Sequence, residues 1–92
     1  MSQYKFEIKP TLEKKLIKIK KKDKAVFDAT REKIKEIIQN PHHYKPLRHG
    51  MKGSRRVHVK KPFVLVFEID DGNRMVHFLD LDHHDKIYKR KK

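Results

Sequence analysis

The chain contains no cysteine. Disulfides and thiolate-bound metals are therefore excluded, and an intracellular, cytoplasmic location is the simple expectation. No apolar run approaches the roughly 20 residues that cross a bilayer, and the polar residues 1–9 do not resemble a signal peptide. A membrane is thus not an expected partner. There is no internal repeat and no linker-like stretch, so residues 1–92 are expected to form one domain with a modest two-layer core. Negative charge is the scarcest feature: 12 acidic residues face 25 lysines and arginines, leaving a net charge of +13. That excess opposes self-association and favours an acidic partner such as nucleic acid, an anionic surface or an acidic protein. Solubility alone asks for less charge than this.

What is present is periodic. Tyr4 to Ile8 alternates apolar and charged side chains, the pattern of a strand. Pro10-Thr11 stops it and offers Thr11 as a helix N-cap. Leu12, Leu16 and Ile19 give the core stripe of a first helix. Asp23 is an N-cap for a second, with Phe27, Thr30, Ile34, Ile37 and Ile38 as its stripe. Asn40-Pro41 ends that helix. Residues 42–53 read as a loop anchored by Leu47 and Met51. Phe63 to Ile69 is apolar on both faces, as a central strand is. Asp70-Asp71-Gly72-Asn73 is a turn leading to a strand from Met75 to about Leu81. A short basic tail follows, with residues 89–92 frayed. The order is β-α-α-β-β-β, an α+β fold with a helical hairpin on one face of a small, mainly antiparallel sheet.

Between the loop and the central strand lies Ser54-Arg55-Arg56-Val57-His58-Val59-Lys60, which alternates with a period of two. Val57, Val59 and the stem of Arg55 take one face; Arg56, His58 and Lys60 take the other. Two further groups carry ionisable side chains: Asp82-His83-His84-Asp85 with Tyr88, and Lys45, Arg48 and His49 in the loop. Metal-free cleavage of RNA needs a base for the 2′-OH, an acid for the leaving 5′-oxygen and cations on the phosphate. Histidine suits the first two roles and arginine the third, while Tyr88 can stack on a base or aid proton transfer. Plainer readings stand beside these. His58 as a half-exposed strand residue, His77 as a packed or edge histidine, His42-His43 as loop, and the lysines from Lys18 to Lys24 as a solvated turn are all ordinary outcomes. His83-His84 between aspartates also invites a metal, but a regular strand presents at most one histidine and one aspartate to a face. No metal or cofactor is expected.

The series Lys45-Pro46-Leu47, Gly50-Met51-Lys52-Gly53, Arg56-Val57-His58-Val59, Phe63 to Phe67 and His83 to Tyr88 resembles the RelE/ParE superfamily of toxins from type II toxin–antitoxin modules. It looks most like the RelE and YafQ branches, which are ribosome-dependent mRNA endonucleases. The resemblance implies catalytic roles for His58, His83 or His84, Arg56 and the closing aromatic Tyr88. It places Phe63 on an aromatic flanking the cleft, and RNA or phosphate binding is expected of Lys45, Arg48, Arg55, Lys60 and Phe63. A cognate antitoxin, acidic or amphipathic, and mRNA on the ribosome are the implied partners. The sequence also departs from the pattern. Val64 replaces the strand arginine of RelE, and Pro62 and Lys45 replace an aspartate and a histidine of YafQ-like members. The fold also hosts ParE toxins, which attack DNA gyrase, and a non-catalytic RNA- or ribosome-binding protein is a further alternative.

Overall fold

The computed structural model describes residues 3–44 and 54–89, with side chains through Ile87. Lys45, Leu47, Arg48, Met51 and the tail beyond Lys89 lie outside the described residues, as does the side chain of Tyr88. The elements are β1 (Lys5–Ile8), α1 (Pro10–Lys22), α2 (Lys24–Gln39), a 3-10 turn (Pro41–His43), β2 (Ser54–Lys60), β3 (Phe63–Asp70), β4 (Met75–His83) and α3 (His84–Lys89).

The helical hairpin turns on one residue. Asp23 ends α1, its N–H bonding to the Ile19 carbonyl at 2.7 Å, and caps α2, its carboxylate accepting from the Val26 N–H at 3.2 Å. Glu13 near the start of α1 and Lys20 to Lys22 at its end both suit the helix dipole. Thr11 is not the N-cap. Pro10 is the first helical residue and Lys9 precedes it, because proline has no N–H to lose there and its fixed φ is already helical. Phe27 also departs from expectation. Val26 takes its place in the buried stripe with Thr30, Ile34, Ile37 and Ile38, while Phe27 sits at the flank beneath Lys20 and Arg31. The Thr30 hydroxyl donates to the Val26 carbonyl at 2.8 Å, which lets its methyl group be buried.

The sheet order is β1-β4-β3-β2, with β1 parallel to β4 and the other pairs antiparallel. Its inner face, carrying Leu65, Phe67, Val76, Phe78 and Leu81, packs on Leu12 and the α2 stripe. The Asp70 carboxylate receives Asn73 N–H at 3.3 Å and Asn73 Nδ2 at 2.9 Å, closing the turn between β3 and β4. β4 runs two residues beyond its expected end at Leu81. The segment after β4 forms α3, which ends at Lys89 and turns back over the outer face. There Ile87, 1% exposed, covers Val64 and Val66. Helical hairpin and α3 thus occupy opposite faces of the sheet. No helix among the described residues is long and apolar enough to cross a membrane.

Candidate active site

The outer face beside α3 holds a cleft of about 360 Å³ lined by His58, Lys61, Pro62, His83, His84 and Asp85. Its geometry follows from three local features. First, β2 pairs with β3 so that His58 stands opposite Val64 and Arg56 opposite Val66, on the face away from the helical hairpin. Second, the chain leaves β4 at His83 and enters α3 at once, with the His84 N–H bonded to the Pro62 carbonyl at 2.7 Å. That bond ties the start of α3 to the β2–β3 connection. Third, Ile87 clamps α3 to the sheet, which fixes His84 above β2. The result is a stacked pair, with the His58 and His84 rings 5.8 Å apart at 17°. Asp85 Oδ1 lies 3.6 Å from His84 Nδ1.

The surroundings keep His58 neutral. Partial burial lowers its pKa below the ordinary 6.5, and the charges of His84, Arg56 and Lys61 lower it further. With His84 protonated, a second proton on His58 is disfavoured. The pair therefore sets an imidazole whose proton affinity is lowered beside a second imidazole, an arrangement suited to proton transfer.

Three residues expected in the cleft lie elsewhere. A bulge shifts the β2–β3 register between His58 and Lys60, so Lys60 pairs with Phe63 and leaves the face of His58. Lys61 takes its place beside His58. Arg55 lies on the helix side, where its guanidinium donates to the Tyr44 carbonyl at 2.7 Å and fastens the end of the 3-10 turn. Phe63 also faces the helix side, its ring 4.7 Å from that of His83. His83 and His84 therefore part company: His84 meets His58, whereas His83 lies between the cleft and Phe63. Asp85 enters from the Asp82–Asp85 group read in the sequence; Lys61 was not singled out there, because it lies beyond the alternating stretch.

The end of β4 is braced from α1. β1 accompanies β4 only as far as Ile8 opposite Phe78, so beyond that point β4 has an open edge. Lys15 Nζ reaches it, at 2.7 Å from Asp80 and 3.0 Å from Asp82. The same carboxylates accept the Leu81 and His83 N–H groups, each at 2.8 Å. Burial pulls the pKa of Lys15 down, but its bonds to Asp80 and Asp82 outweigh this and hold it above the ordinary value. Burial likewise pushes Asp82 up, and the bonds from Lys15 and the His83 N–H bring it below the usual carboxylate range.

The family model described as the ParE toxin of the type II toxin–antitoxin system parDE matches residues 6–88. The chain belongs to this toxin family. A relative from Methanocaldococcus jannaschii named "Putative toxin RelE4" is 54% identical over 89 residues, covering 97% of this chain and 95% of its own. Among solved structures, the RelBE2 toxin–antitoxin complex of Mycobacterium tuberculosis contains a chain similar in fold, with a TM-score of 0.76 and 24% identity. It covers 91% of this chain and 94% of that one. A mutant of the E. coli toxin RelE in the free state gives a TM-score of 0.77 at 17% identity, covering 98% and 95% of the two chains. The RelE/ParE resemblance and the RelE-like β-α-α-β-β-β fold expected from the sequence are thus both found, with α3 appended.

Proposed function

We propose that this type II toxin is a metal-free, ribosome-dependent mRNA endonuclease that blocks translation. The supporting observation is the stacked His58–His84 pair on the outer face, flanked by Arg56 and Lys61. His58, held neutral, takes the proton from a ribose 2′-OH as the 2′-oxygen attacks the adjacent phosphorus. The bond from phosphorus to the 5′-oxygen breaks, and His84 as imidazolium delivers a proton to that oxygen. The products are a 2′,3′-cyclic phosphate and a 5′-hydroxyl, and no co-reactant is consumed. Arg56 and Lys61 stabilise the crowded phosphate as its charge grows. Tyr88 is the closing aromatic that the resemblance implies, and Lys45 adds a cation for the phosphate. A cognate antitoxin, acidic or amphipathic, covers this cationic face in the resting module, and the toxin acts in the cytoplasm.

One observation favours a second reading: the matching family model is that of ParE, and ParE toxins act on DNA gyrase. A gyrase-binding surface makes no use of two facing imidazoles, which is why the nuclease reading is preferred. Ribosomes programmed with a defined message, incubated with the purified toxin and mapped by primer extension, separate the two. Cleavage of translated mRNA, lost in His58→Ala while ribosome binding persists, is the expected result. Intact messages together with gyrase-dependent DNA breaks would overturn it.

A further inference from the structure

A second groove of about 350 Å³ opens on the other side of His83, between α1 and the end of the sheet. Its walls carry Lys18 and Lys22 from α1, Lys86 from α3 and the ring of Phe63. Lys15 and Asp82 also border it, but those two are bonded to one another. The remaining charge on its walls is therefore positive. Lys18 and Lys22 stand one helical turn apart on the same side of α1, about 6 Å at their roots. Phe63, half-buried, sits among these lysines against the His83 ring at 4.7 Å and 49°. An aromatic face set among cations is the arrangement that holds single-stranded nucleic acid, with stacking for the base and ammonium groups for the backbone. His83 lines the His58–His84 cleft as well, so the two concavities share a wall.

We propose that this groove is a nucleotide subsite for the RNA strand that runs on from the cleft. One base stacks on Phe63, and Lys18, Lys22 and Lys86 neutralise the flanking phosphates. The proposal rests on the reading of the cleft as an RNA site and adds to it a footprint beyond the scissile phosphate. It also gives a role to part of the lysine run at the end of α1 and to Phe63, neither of which reaches the cleft. An acidic peptide would satisfy the lysines but has no use for an aromatic platform next to a histidine ring. RNA is therefore the occupant.

The test measures binding of an eight-nucleotide single-stranded RNA and of a dinucleotide by fluorescence anisotropy across a salt series. The full chain is used, unaltered or carrying Lys18→Gln with Lys22→Gln. The double variant should weaken the longer RNA about tenfold or more and flatten its salt dependence by about two phosphate contacts. Dinucleotide binding should be unchanged. Phe63→Leu keeps the apolar packing against the helix side but removes the ring, and should abolish quenching of a 2-aminopurine placed in the RNA. A thermal melt shows that each variant is folded. Unchanged affinity and slope for the longer RNA would overturn the subsite. So would an acidic peptide of equal length that binds the groove more tightly than the RNA does. If messages are not cleaved but the lysine variants still lose RNA, the subsite stands and the nuclease reading falls. If cleavage is seen and the variants bind normally, the reverse holds.

Discussion

Replacing Lys15 with methionine tests whether the end of β4, and with it the two histidines, is held from α1. The ammonium is bonded to Asp80 at 2.7 Å and Asp82 at 3.0 Å, with side chains 32%, 11% and 18% exposed for the three residues in that order. Breaking a buried pair costs about 3–5 kcal/mol, and an exposed one about 0–1 kcal/mol. A lysine one-third exposed over two mostly buried carboxylates falls between, at roughly 2–3 kcal/mol. For a domain of this size that is about 10–20 °C in Tm. The sign of the pH dependence follows from Asp82, whose folded-state pKa is depressed. Its contribution is present above the unfolded value near 4 and is lost as pH falls through the folded one. Lys15, raised, contributes below its unfolded value and loses that only at strongly alkaline pH. Urea melts at pH 7 should therefore show the full gap between the two proteins, and the gap should narrow as pH falls below about 4, because protonated carboxylates no longer repel. Adding Asp82→Asn to the variant should recover about 1 kcal/mol at pH 7 by removing one of the two stranded charges. A loss below about 0.5 kcal/mol at pH 7, or a gap that stays constant down to pH 3, would refute the bracing role.

The remaining predictions concern the cleft and its cover. Since burial and then cationic neighbours lower the pKa of His58, cleavage should persist below pH 6.5 before its acidic limb falls, and Lys61→Gln should move that limb upward; a limb above 6.5 in the unaltered protein contradicts this assignment. Because the bulge puts Lys61 and not Lys60 beside His58, Lys61→Gln should slow single-turnover cleavage on programmed ribosomes far more than Lys60→Gln, and equal effects would mean that the register shift does not persist in the working state. His58→Ala should lower that rate by about 10²–10⁴, the range for one proton-transfer group. Ile87→Ala should cost about 2–4 kcal/mol in a urea melt as α3 loses its seat on Val64 and Val66; it should also reduce cleavage beyond what the melt explains, because His84 leaves with the helix.

Much of this protein was settled by local pattern. Alternation from Arg55 to Val59 put Val57 on one face and Arg56 with His58 on the other, because successive strand side chains must point oppositely. Asp23 ended one helix and began the next through a carboxylate that only has to reach three residues ahead. The apolar run of β3 and the turn at Asp70 fixed the hairpin, and the excess of lysine fixed the chain's own charge. Each of these acts over a few residues, so a reading along the chain finds it.

The rest needed contacts between segments far apart in the chain. Lys15 meets Asp80 across 65 positions, and no spacing rule links them. The exchange of Lys60 for Lys61 arises from an extra residue in β2, which depends on how β3 pairs and inverts the alternation beyond it. The choice between His83 and His84 likewise waited on α3, whose single buried isoleucine brings one imidazole over His58 and leaves the other against Phe63. Pattern gave this chain its faces and its charge; packing across the sheet decided which side chains meet, because a strand fixes the direction of a side chain but not its neighbour.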